Sequence, residues 1–197
     1  MPRHSVNKVF CFAATAAVII FFNVRLAAAD DADDGFGPAR KIESRYFTIY
    51  YAPELDSLSL AGQLNVSAGE RILAGEPPEG GGFGLGDALD TLFTRVCGIL
   101  DMQLYSYHGN IKICIDQSQL AGIYRNIFDK DLGETKSFYI YSFNTIYVSA
   151  ANFRQSVIGH EIGHAIISHY FVVQPSVKVQ EVLAGYVEYQ LRKQAGN

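Results

Sequence analysis

The chain has 197 residues, 49% of them hydrophobic, with 16 basic and 20 acidic side chains and a formal net charge of −4. That size and apolar content suit a single domain with its own core. An acidic chain with no basic patch argues against nucleic acid or an anionic membrane surface as partner.

In chain order, Arg3 and Lys8 give a positive start, residues 9–22 are apolar apart from Thr15, and Ala27, Ala28 and Ala29 precede Asp30. This pattern predicts a secretory signal peptide over residues 1–29. The apolar run falls short of the about 20 residues that a spanning helix needs. Retention as an uncleaved membrane anchor is the alternative. The expected location is outside the cytoplasm, periplasmic or secreted. Cleavage removes three basic and no acidic residues, which takes the net charge from −4 to −7. Residues 30–43 read as a flexible acidic linker. Two cysteines remain, Cys97 and Cys114. They can pair in an oxidising compartment or pack as small hydrophobes, and their spacing leaves both readings open.

Residues 45–51 read as a strand ended by Pro53. Residues 54–73 read as a helix, with Leu55, Leu58, Leu64 and Ile72 near helical spacing. Residues 75–86 form a loop rich in glycine and proline; no Gly-Lys-Ser/Thr follows, so it is not a phosphate loop. Asp87 is expected to cap the next helix, on which Leu89, Leu92, Phe93, Val96, Ile99 and Leu100 share a face. Residues 111–115 read as a strand and 118–128 as a short helix. Residues 137–142 and 145–149 read as two strands around a turn at Phe143 and Asn144. Asn152, with Gln155 three residues later, suits a capping box that opens another helix. This order predicts an α+β domain over residues 44–197, a small mixed or antiparallel sheet followed by two helices.

The first of those helices carries His160, Glu161, Ile162, Gly163 and His164 in succession. Two imidazoles four residues apart lie one turn from each other on one face, where both can reach a single Zn²⁺. Val157, Ile158, Ile162, Ala165, Ile166 and Ile167 leave the helix without a polar face, the pattern of a buried helix. Polar groups buried there without partners would be costly, and a metal answers that cost. His108 falls in an expected turn and His169 points nearly opposite His160, so neither reads as a ligand. Glu181, on the following helix, is the candidate third ligand. Two His and one Glu with an open fourth position make a catalytic rather than a structural zinc site. Small Ala184 and Gly185 beside it would let the two helices approach closely. The same helix also carries an apolar stripe of Val179, Val182, Leu183, Tyr186, Val187 and Leu191. That stripe would turn Glu181 toward a solvated face with Lys178, Glu188 and Arg192. Spacing alone leaves both readings open.

The paired helices resemble the gluzincin metallopeptidases, the thermolysin-like zincins, and among them the short peptidase MA-like domains. The resemblance rests on His160-Glu161-x-x-His164 and on Glu181-x-x-Ala184-x-Tyr186. It implies Zn²⁺ held by His160, His164 and Glu181, with Glu161 as general base. It implies an exported zinc-dependent metallopeptidase that hydrolyses peptide bonds in a peptide or protein substrate through a metal-activated water. The alternative is an inactive exported zinc-binding domain that serves as a binding or assembly module. Such proteins often place an acidic residue four positions after the ligand Glu to orient a ligand His; here Gly185 stands there. The resemblance also implies that an edge strand, residues 145–149, pairs with the substrate backbone. It leaves the oxyanion-stabilising group unassigned, with Tyr186 and Tyr189 read as helix-packing residues.

Overall fold

The structure is a computed structural model that describes residues 34–66 and 84–195. The expected signal peptide, residues 67–73 of the first expected helix and most of the Gly/Pro loop lie outside the described residues. The elements in order are β1 (Arg40–Glu43), β2 (Phe47–Tyr51), α1 (Ser57–Gln63), α2 (Leu85–Leu100), β3 (Gly109–Cys114), α3 (Gln117–Phe128), β4 (Ser137–Ile140), β5 (Thr145–Ser149), α4 (Gln155–Tyr170) and α5 (Val177–Gln194).

Strand alternation builds two cores from one sheet. Phe47, Ile49, Ile111, Ile113, Ile146 and Val148 share a cluster with buried residues of α1, α2, α4 and α5. The intervening Cys114 and Tyr147 join Phe138, Ile140, Leu120 and Ile123 in a second cluster with α3. Central strands buried on both sides read as near-continuous apolar runs, as parallel strands do. The fold is α+β on a mixed five-stranded sheet of order β1-β2-β3-β5-β4. β2, β3 and β5 run parallel, while β1 and β4 are antiparallel outer strands. Residues 145–149, expected at the edge, therefore lie inside the sheet, and β4 takes the edge. All five residues of β5 are buried, which suits an inner strand.

Part of the expected linker is structured. Arg40–Glu43 pairs with β2, and Asp34 is buried beneath the sheet's second cluster. Its carboxylate accepts from Lys112 Nζ at 2.8 Å, Tyr147 Oη at 2.6 Å and the Phe36 amide at 2.9 Å. Composition hid this, because one acidic residue with a buried cationic partner looks like any other in an acidic stretch.

Two helix starts differ from expectation. α2 begins at Leu85, with Gly84 as its cap and Asp87 inside the first turn, where its carboxylate accepts from the Gly84 amide at 3.0 Å. α4 begins after Arg154 without a side-chain cap, and Asn152 instead bonds Ser149 and Gln117. Cys97 and Cys114 are free and buried in different clusters. Burial pushes their thiols up to about 11 and about 12.

Candidate metal centre

α4 is held by its apolar surround: Ile158, Ile162, Ala165, Ile166 and Ile167 have no exposed surface. α5 returns along it at close range because two glycines face the contact. The nearest atom to a Cβ built on Gly163 would be Ala184 Cα at 3.5 Å, and a Cβ on Gly159 would meet Leu191 Cδ1 at 2.1 Å. Ala184 is therefore the small residue at the seam. Gly185, expected to share that role, has nothing within 4 Å of where its Cβ would stand.

This packing decides which face of α5 turns inward. Ala184, Val187 and Leu191 are buried, whereas Val179, Val182, Tyr186 and Tyr189 are exposed. The expected apolar stripe is thus split, and the two tyrosines are not packing residues. The buried arc carries Glu181 to the imidazoles. His164 Nε2 lies 3.1 Å from His160 Nε2. Glu181 Oε2 lies 3.6 Å from His160 Nε2, and its Oε1 lies 3.5 Å from His164 Nε2. A tetrahedral ion with bonds of about 2.0–2.1 Å holds its ligand atoms about 3.3 Å apart. Each ring nitrogen thus has one Glu181 oxygen near that spacing, and with one atom taken from each residue the three lie within 4.8 Å of one another; two imidazoles and a carboxylate are a donor set that suits zinc.

His160 has a carboxylate on α5 behind its metal-facing nitrogen. Glu188 Oε2 lies 3.5 Å from His160 Nδ1. The Gln180 side-chain amide donates to the Pro175 carbonyl at 2.9 Å. Burial and the neighbouring His160 pull the His164 pKa down, against Glu181 and Gln180. A lowered value favours the neutral ring that metal binding requires.

Glu161 is 6% exposed. Ser137 Oγ, on the face of β4 turned to α4, donates to its Oε1 at 2.7 Å. Burial pushes the Glu161 carboxyl up to about 7; Ser137 opposes the rise and the Glu181 and Glu188 charges add to it. These groups open on a cleft of about 560 Å³, walled by Ser137, Phe138 and Tyr139 of β4 and by Val177 and Gln180 of α5. The edge strand is thus β4, the strand that lines the cleft.

His108 and His169 are engaged elsewhere. His108 lies 3.0 Å from Thr48 Oγ1 and 3.2 Å from the Arg45 carbonyl. His169 lies 3.2 Å from Tyr139 Oη and 3.1 Å from Asn144 Oδ1. Sequence reasoning missed Ser137, Gln180 and Glu188. Glu188, seven residues after Glu181, lies two turns along the same face, and helical periodicity could have found it; Gln180, one residue before, stands about 100° round the helix and no periodicity marks it. Ser137 comes from a strand 24 residues before Glu161, and no local pattern marks it.

Comparison with protein-family models, with curated proteins and with solved structures finds no match.

Proposed function

We propose that this chain is an exported zinc-dependent peptide hydrolase of the gluzincin type. The metal reading is carried by one observation, the mutual spacing of 3.1–3.6 Å among His160 Nε2, His164 Nε2 and the Glu181 carboxylate. Those three side chains would hold Zn²⁺. When bound, zinc supplies a Lewis acid that acidifies water and polarises a carbonyl.

The hydrolytic reading adds Glu161. Ser137 holds its Oε1, and the carboxylate would take the proton of an attacking water and deliver it to the leaving amine. The Glu161 carboxyl is buried beside the candidate ligands, where a general base has to stand. The outer strand β4 borders the cleft, and an extended peptide can add to such an edge through main-chain hydrogen bonds. Export rests on the positive, apolar and small-residue pattern of residues 1–29.

A second reading, a zinc-binding module that does not cleave, is favoured by the exposed Val179, Val182, Tyr186 and Tyr189 on the outer face of α5. The deciding experiment couples metal analysis to cleavage of a mixed peptide library, with and without chelator. The wild-type chain is expected to hold one zinc and to cleave until chelated. Glu161→Gln should keep its zinc and lose about 10²–10⁴-fold in rate. Undiminished cleavage by that variant removes the base from Glu161. Zinc without any wild-type cleavage selects the second reading.

A further inference from the structure

His160 Nδ1 is one of two buried side-chain nitrogens or oxygens without a hydrogen bond among the described residues. A neutral imidazole carries one N–H and one lone pair. Nε2 of His160 faces His164 and Glu181, so on the metal-site reading its lone pair must point there and the proton must sit on Nδ1. A buried N–H with no acceptor costs on the order of 1–3 kcal/mol. The nearby acceptor is Glu188 Oε2, 3.5 Å away and on the opposite side of the ring from Glu181. That distance is just outside a formed hydrogen bond.

Glu188 is itself held. Arg192, one turn on, bonds its Oε1, which leaves Oε2 for the ring. The Glu188 side chain is 28% exposed against 57% for Glu181, so it sits deeper in the seam than the ligand does. Its position follows from helix geometry. Glu181 and Glu188 are seven residues apart, two turns along one face of α5. The side chain absent at Gly185, between them, has no neighbour there to orient.

From this we infer that Glu188 is the positioning residue of the centre: it accepts from His160 Nδ1, fixes the tautomer with Nε2 toward the ion, and is steadied by Arg192. α5 then supplies both a ligand and the carboxylate that orients His160. Glu188 does not serve as a fourth ligand, since its carboxylate addresses the nitrogen that faces away from Glu181.

This inference rests on the metal-site reading, and zinc affinity of the full chain, measured by competition with a chromophoric chelator, separates the two. Glu188→Ala should weaken zinc binding about 10–100-fold. Glu188→Gln keeps an acceptor oxygen at the same reach and should recover most of the loss, with a metal-free urea midpoint like that of the wild type. His160→Ala should abolish binding. If Glu188→Ala binds zinc within about twofold of wild type, the positioning role is overturned. Equal losses in the Ala and Gln variants overturn it too, because an acceptor would then not be what matters. Should the Ala variant not fold, Glu188→Gln and the wild type still decide: a Gln variant as weak as His160→Ala excludes the role. A wild-type chain that binds zinc no better than His160→Ala overturns the metal centre itself.

Discussion

Among the described residues, Lys112 is one of the few buried charged side chains outside the centre. Its side chain is 6% exposed, bonded to Asp34 at 2.8 Å, and surrounded by the rings of Phe36, Tyr50 and Tyr147. Taking away one member of a buried ion pair leaves an uncompensated charge, so Lys112→Met should cost about 3–5 kcal/mol in a urea melt. Replacing both members by apolar residues should cost much less, since both desolvation penalties go together. The pair also sets an acid limit. Burial works to raise the Asp34 pKa, but hydrogen bonds from Lys112, Tyr147 and the Phe36 amide outweigh it and leave the value below its ordinary 3.8. A carboxyl depressed in the folded state adds stability above its unfolded pKa, and that stability is lost as pH falls through the folded value. Unfolding free energy should therefore decline below pH 3.8, with a shallower decline in Asp34→Asn; urea melts at stepped pH read both slopes.

Between elements, the α4–α5 seam controls the centre. Gly159 and Gly163 look alike in sequence, each one residue from a motif histidine or glutamate, yet they differ in tolerance. A methyl on Gly159 would stand 2.1 Å from Leu191 Cδ1, whereas on Gly163 the nearest atom would be Ala184 Cα at 3.5 Å, ordinary contact. Gly159→Ala should overpack the seam against the Leu191 side chain and cost about 1–3 kcal/mol. Gly163→Ala should leave stability equal or raised by about 0.5–1 kcal/mol, because alanine loses less backbone entropy in a helix. Parallel urea melts of the two variants would show the split, and equal destabilisation would contradict this account of the seam. The same seam explains why the acidic partner of His160 comes from Glu188: only the arc that includes Ala184, Val187 and Leu191 faces α4.

At the scale of the molecule, binding to the folded state alone shifts stability by mass action. The candidate ligands come from two helices, with Glu161 tied to a sheet strand through Ser137, so the unfolded chain holds no comparable site. Free zinc at 100 times its dissociation constant should add about 2.7 kcal/mol. For a domain of this size that is a rise of roughly 5–10 °C in Tm. Calorimetry with zinc and then with chelator should show the rise and its reversal. His160→Ala should show neither.

Much of the candidate site's layout was legible in the chain. His160, Glu161 and His164 announce themselves because helical periodicity is local, and four residues of separation bring two rings to one place whatever surrounds them. The apolar surround of α4, the α+β class and most element positions follow from the same short-range rules. Glu181 was legible only as one of two readings, because α5 bears apolar residues on opposite faces and pattern cannot choose between them. The choice is made by steric fit at Gly159 and Gly163, a property of two helices together. The strand order was likewise hidden: β5 is internal and β4 outer because of parallel pairing with β3, a contact between distant segments. Ser137 against Glu161, Asp34 against Lys112 and Glu188 against His160 belong to that same class. Each is a polar group whose burial becomes tolerable through a partner far away in sequence or on another helix, and only the folded chain brings such pairs together.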